Sequence, residues 1–61
     1  MRLAVTPLDP AEDMRDHVFH IGCFALIEHI SEDRLEVVVM NEDQHFDVSE
    51  YCDKNELLIA E

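Results

Sequence analysis

The chain has 61 residues, 48% of them hydrophobic, and its 15 acidic and four basic side chains give it a net charge of −11. Residues 1–61 are enough for one small domain, which buries only about 60% of the surface that its unfolded form exposes. The charge excludes direct binding to nucleic acid or to an anionic membrane, because both are held mainly through Lys and Arg.

The acidic residues are unevenly distributed. Residues 1–30 hold five acids and two bases, a net of −3, whereas residues 31–61 hold ten acids and two bases, a net of −8. The densest stretch is NEDQHFDVSEYCD, residues 41–53, with five carboxylates and neither Lys nor Arg. This asymmetry indicates an interaction surface in the second half of the chain.

No targeting or membrane-spanning segment is indicated. MRLAVTP is too short for a signal peptide and contains Pro7, and the longest apolar run, residues 21–27, has seven residues, far below the roughly 18–20 that a transmembrane helix needs. These features predict a soluble cytoplasmic protein, or one of the host cytoplasm if a phage encodes it. Cys23 and Cys52 are then expected as reduced thiols.

The first predicted elements are a strand and a helix. Residues 2–5, RLAV, form an apolar run that suits an edge strand. Asp9 can accept from open backbone N–H groups, the following proline suits the first helical position, and Glu12 stands where a capping-box carboxylate belongs. We expect a short helix from Pro10 to about His17.

Residues 18–30 match two periodicities. A helix reaching about residue 30 would be apolar on two faces, which suits a dimer or a helix packed under a sheet. Alternation predicts a strand instead, with one face formed by Phe19, Ile21, Cys23, Ala25 and Ile27. We favour a strand after the short helix. Within it, residues 25–30 also suit a hairpin with residues 35–40, through a turn at 31–34.

The second half reads mainly as strands. LEVVVM, residues 35–40, is β-branched and predicts a strand with Leu35, Val37 and Val39 on its buried side. Residues 41–44 are interpreted as a polar turn, residues 45–48 as a returning strand and residues 49–52 as a single helical turn. The last strand is ELLIA, residues 56–60. The predicted fold is α+β, a small antiparallel sheet of three to four strands with one N-terminal helix; a small SH3-like barrel is the alternative.

The chain offers little for catalysis, so we expect no enzymatic activity. Ser31 and Ser49 occupy predicted turn or cap positions, where serine is common for backbone reasons. Gly22 is the only glycine, which excludes a phosphate-binding glycine-rich loop. An EF-hand starting at Asn41 fails because its glycine position holds Phe46 and its final glutamate position holds a cysteine.

A metal site has three candidate ligands at three-residue spacing. On a helix, His17, His20 and Cys23 would lie close enough to converge on zinc. A fourth ligand would have to come from His29, His45 or Cys52, and no C-x-x-C pair supports the site, so no cofactor or metal is assigned. A small metal-binding or homodimeric structural protein is the alternative function.

The acidic segment is the feature that best indicates a function. Alternate carboxylates on a strand lie roughly 6.6 Å apart and can imitate a row of phosphates, so that a basic nucleic-acid-binding groove accepts the protein in place of its ligand. The acids in this hypothesis are Glu32, Asp33, Glu36, Glu42, Asp43, Asp47, Glu50, Asp53 and Glu56. Phe46 and Tyr51 are expected to add hydrophobic contacts with the partner.

In its character this short, acidic, glycine-poor chain resembles the anti-defence proteins of phages and mobile elements, including anti-CRISPR proteins and DNA mimics. The resemblance lies in those carboxylates and in composition, without a shared motif or fold. It implies an inhibitor that occludes the DNA path of a nucleic-acid-handling defence complex.

Overall fold

The computed structural model describes all 61 residues and shows an α+β fold, which confirms the predicted class. Four strands form one antiparallel sheet, and the helical elements are short. No helix has both the length and the apolar character needed to cross a membrane. In chain order the elements are β1 (Arg2–Pro7), a 3₁₀ helix (Met14–His17), α1 (Val18–Ile21), β2 (Leu26–Ile30), β3 (Leu35–Val38), α2 (Glu42–Lys54) and β4 (Leu57–Ala60).

The strands are ordered β2-β3-β1-β4, and every neighbouring pair is antiparallel. With a helix after β1 and another after β3, this is the split-βαβ arrangement, a topology that by itself implies no function. The sheet is open, unlike an SH3-like barrel. The strand predicted at residues 2–5 is present, but β1 pairs on both sides and is central rather than an edge.

The core lies between the sheet and the helices. Leu35 and Val37 are fully buried and Val39 is 3% exposed, which confirms the predicted inward face of β3. Their neighbours on β1 are Leu3 and Val5, equally buried. Both helices add to this single cluster, whose remaining members are Met14, Ile21, Ala25, Val48, Cys52 and Leu57.

The predicted helix from Pro10 to about His17 is wrong in its start. The Asp9 carboxylate accepts from the Ala11 N–H (2.9 Å) and closes a local turn. The Met14 N–H donates to the Glu32 carbonyl (2.9 Å) in the β2–β3 turn instead of continuing a helical ladder. Asp13 is the actual cap, accepting from the Arg15 N–H at 3.0 Å.

A strand starting near residue 18 is also wrong, because residues 18–21 form α1. Gly22 ends this helix, and its N–H donates to the Val18 carbonyl at 2.8 Å. A Cβ at Gly22 would lie only 2.8 Å from that same oxygen. The hairpin of β2 and β3 is confirmed, with a bulge at Glu28 between its paired residues.

The predicted turn at 41–44 and strand at 45–48 are corrected to a single helix, α2. Asn41 is its N-cap and accepts from the Gln44 N–H at 2.9 Å, while the Gln44 side chain accepts from the Met40 N–H at 2.7 Å. This reciprocal pair is a variant of the capping box. Val48 and Cys52 anchor the helix in the core.

Both helices pack on the same face of the sheet, because their buried residues share one core cluster. Strand alternation therefore directs the other half of the strand residues to an uncovered face. We call it the open sheet face, and its residues are Arg2, Ala4, Thr6, Leu26, His29, Glu36, Val38, Leu58 and Ala60.

Candidate functional site

Helix α2 gathers the acidic stretch on its solvent side. With Val48 and Cys52 fixed in the core, the positions on the opposite side of a 3.6-residue helix are exposed. We call this the α2 outer face, and its exposed residues are Glu42, Asp43, Phe46, Asp47, Glu50, Asp53 and Lys54. All five carboxylates of residues 41–53 are among them.

Phe46 is the apolar centre of the α2 outer face. Its side chain is 63% exposed. Residues three and four positions away on a helix are surface neighbours, and for Phe46 these include Glu42, Asp43 and Glu50. An exposed phenyl ring with carboxylates on two sides is not required by the core, since Val48 and Cys52 already anchor the helix.

The charge of this face is almost uncompensated. Lys54 lies 3.3 Å from Glu50, and both side chains are largely exposed. The other four carboxylates have no cationic side chain within ion-pair distance. Like charges at helical spacing destabilise a helix slightly, whereas acids in the first turn, here Glu42 and Asp43, stabilise it through the helix dipole.

The remaining predicted acids lie elsewhere. Glu32 and Asp33 are in the β2–β3 turn and, with Glu12 and Asp13, line a separate concave region of about 500 Å³. Glu36 belongs to the open sheet face. Glu56 follows α2 in the left-handed region, at φ 57°. The acidic set predicted as one surface is therefore divided between several.

Tyr51 points away from the α2 outer face, into a side-chain network that the sequence analysis missed. His17 is 7% exposed; its Nε2 lies 2.5 Å from the Glu12 Oε1, and its Nδ1 lies 2.7 Å from the Tyr51 hydroxyl. A neutral His17 that donates from Nε2 to Glu12 accepts from Tyr51 at Nδ1. Burial raises the pKa of Tyr51, which keeps its hydroxyl available as a donor.

The three candidate zinc ligands each make a different contact. Both ring nitrogens of His17 are engaged, the His20 ring stacks on Tyr51 at 6.1 Å between centroids, and the exposed Cys23 thiol donates to the Phe19 carbonyl. No three His, Cys, Asp or Glu side chains are grouped so that they could hold a metal ion.

A cleft of about 410 Å³ adjoins the first turn of α2. Met1, Val39 and Met40 are its apolar lining residues, and Glu42 and His45 are among the polar ones. Glu42 thus belongs both to this cleft and to the α2 outer face, so that apolar surface continues beside the acidic one.

No protein-family model, curated protein sequence or solved structure matches this chain. The interpretation of its surfaces therefore depends on their own geometry and chemistry.

Proposed function

We propose that this chain is a non-enzymatic interaction protein whose α2 outer face binds a basic surface on a partner protein. The observation that carries the proposal is Phe46, exposed at the centre of a helical face with five carboxylates and one lysine. A buried aromatic anchor surrounded by a polar rim is the common anatomy of a protein interface.

The two kinds of side chain have separate tasks. Phe46 would enter an apolar depression on the partner. As a buried aromatic anchor, it would contribute more to the affinity than any other single residue of this face. The carboxylates would steer a basic surface towards the helix and fix its orientation, which raises the association rate more than the affinity.

The partner we favour is a surface that normally holds nucleic acid, because such surfaces concentrate Lys and Arg. Carboxylates at i, i+3 and i+4 on α2 lie about 5–6 Å apart at their Cβ atoms, so that a helix, not a strand, would supply the phosphate-like row. An inhibitor that occludes the DNA path of a defence complex, such as an anti-CRISPR protein or a DNA mimic, is the particular form of this proposal.

Two charge-reversed proteins test it. The α2 variant carries Asp47→Lys, Glu50→Lys and Asp53→Lys; it leaves the first turn intact, where acids stabilise the helix. The matched control carries Asp16→Lys, Glu32→Lys and Asp33→Lys, which changes the net charge equally at exposed sites outside α2. Each is immobilised beside the wild type, exposed to cell lysate and washed with graded salt.

Proteins that the wild type and the control retain and the α2 variant loses are the expected partners, and added duplex DNA should release them. If all three proteins retain the same set, or none retains any, the α2 outer face is not a binding surface. If added DNA does not release these partners, they do not bind α2 through a nucleic-acid-binding surface. The α2 outer face would then bind a basic surface of another kind.

A further inference from the structure

The open sheet face carries apolar side chains at two opposite corners, and Arg2, opposite Val38, and Glu36, opposite Ala4, stand between them. Leu26 is paired with Val38 across β2 and β3, and Ala4 is paired with Ala60 across β1 and β4. Leu58 lies two residues before Ala60 on β4, at the corner of the sheet opposite Leu26. Leu26 is 63% exposed and Leu58 52% exposed, so neither side chain is covered within the chain.

This face is nearly neutral in a strongly acidic molecule. Its own charged side chains are Arg2 and Glu36, and Glu28 of the neighbouring bulge lies 3.1 Å from Arg2 and is counted with them. The formal charge of the face is therefore −1, against −11 for the chain. Two copies of this protein repel one another through most of their surfaces, and this face is where they meet with the least repulsion.

The arrangement of the apolar residues suits a two-fold contact. Leu26 and Leu58 stand at opposite corners, and the small side chains of Ala4 and Ala60 lie between them. In a two-fold arrangement the same patch serves both subunits, so the leucines of one copy would lie over the alanines of the other. The face offers a basic partner only one unpaired acid, Glu36. It offers an acidic partner only one base, Arg2, which is already paired with Glu28.

The area suits a modest dimer. Four strands about 4.8 Å apart, with about five residues each rising about 3.3 Å, cover roughly 300 Å² in projection. Projecting side chains have a larger accessible area, so two such faces would bury on the order of 1,000 Å² in total, the lower range for a specific interface. A domain of this length gains stability from such burial, since its own core is small.

We infer that the open sheet face binds a second copy of this chain, forming a two-fold dimer with the two sheets face to face. Because α2 lies on the other side of each sheet, both α2 outer faces remain exposed in the dimer. The inference stands independently of the proposed function; if both hold, the dimer presents two binding surfaces and gains affinity for a repetitive or dimeric partner through bivalency.

The test is sedimentation equilibrium of the purified protein over a wide concentration range. We expect the mass to rise from the 7.1 kDa of one chain to twice that value. Leu26→Lys and Leu58→Lys together should raise the dimer dissociation constant by about 100-fold or more, because each buries an unpaired charge at the interface. Phe19→Lys is the control, since Phe19 is exposed and belongs to α1, on the other side of the sheet, and it should leave that constant within about twofold.

Every lysine introduced lowers the negative charge and so reduces repulsion between copies, which means that a weaker dimer in the sheet variant cannot be a general charge effect. A wild type that stays monomeric at all concentrations overturns the inference. So does a dimer that survives both sheet substitutions, which would place the contact at an edge strand instead. If the sheet variant fails to fold, two measurements on the wild type still test whether the protein dimerises: its mass in solution and the concentration dependence of its melting temperature.

Discussion

The Nδ1 atom of His17 lies 2.7 Å from the hydroxyl oxygen of Tyr51, across 34 residues of sequence. This hydrogen bond joins the 3₁₀ helix to α2. The other ring nitrogen of His17, Nε2, is hydrogen-bonded to Glu12. It fixes the inward side of the same helix whose outer face carries the acids. The network therefore has a structural task, which is to orient α2 on the sheet.

Removing the Tyr51 hydroxyl should test that task. Tyr51→Phe leaves the buried Nδ1 of His17 without its partner and should lower the free energy of unfolding by about 1–2 kcal/mol. Urea unfolding of the wild type, Tyr51→Phe, His17→Ala and the double variant gives the coupling energy between the two side chains. His29→Ala, at an exposed histidine of β2, serves as the control; a coupling energy near zero would show that the contact between His17 and Tyr51 does not stabilise the fold.

A pair of adjacent valines tests the sheet. Val37 is fully buried beneath the helices, while Val38 is half-buried on the open sheet face. Val37→Asp should unfold the domain, because it places an unpaired charge in a small core. Val38→Asp should stay folded, as circular dichroism and the thermal transition would report. A folded Val37→Asp protein would mean that the assigned faces of β3 are reversed.

Gly22 should tolerate no side chain. A Cβ there would lie 2.8 Å from the Val18 carbonyl oxygen, and a backbone atom cannot move aside as a flexible side chain can. We expect Gly22→Ala to cost about 1–3 kcal/mol, seen as a lower urea midpoint. Cys23→Ala, at the next and exposed position, should leave the midpoint within about 0.5 kcal/mol of the wild type; equal losses at both positions would contradict the close approach.

Alkaline pH should weaken the fold through Cys52. Burial raises the pKa of its thiol from 9.0 to about 11, so the folded state favours the neutral thiol and the unfolded state ionises first. The stabilisation is complete below pH 9 and is lost as pH rises towards 11. Burial raises the pKa of Tyr51 as well, which acts in the same direction.

The measurement is the free energy of unfolding between about pH 8 and pH 11, where Cys52→Ala should fall less steeply than the wild type. A disulfide-exchange reagent adds a second readout: Cys23 is exposed and should react at once, whereas Cys52 should react only on unfolding. Identical pH slopes with two fast thiols would show that Cys52 is not sequestered.

The sequence predicts the hairpin well because its signals agree. The consecutive β-branched residues Val37, Val38 and Val39 and a polar turn at 31–34 both favour paired strands, and the structure has them. Helix α2 is harder to predict from the sequence. Residues 45–48 alternate as in a strand, and only Val48 and Cys52 mark the buried side of the helix. The Asn41–Gln44 capping pair was the signal that could have identified its start.

The candidate site, too, could be predicted from the sequence only in part. The five acids of residues 41–53, which the sequence places in a predicted interaction surface, are all exposed. Their gathering around Phe46 depends on the helix, because a strand would have sent successive side chains, such as Phe46 and Asp47, to opposite faces. The contact between His17 and Tyr51 was not predictable, since nothing local in the sequence relates residues so far apart.

Phe46 should matter for binding and not for folding. Its side chain is largely exposed, so Phe46→Ala should leave the melting temperature nearly unchanged, because surface substitutions usually alter stability by about 0.5 kcal/mol or less. As an interface anchor it should speed dissociation of a captured partner by about tenfold or more. Surface plasmon resonance measures that rate. An unchanged rate would remove Phe46 from the interface, even if the carboxylates remain in it.

The most direct measurement is the association rate of a captured partner with the wild type, the α2 variant and the control variant, at low and at high salt. The account predicts a fast wild-type rate that falls about tenfold or more as salt rises, a comparable rate for the control, and a slow, nearly salt-independent rate for the α2 variant. Equal rates for all three proteins, flat with salt, would contradict it and leave the acidic face of α2 as a solubilising feature alone.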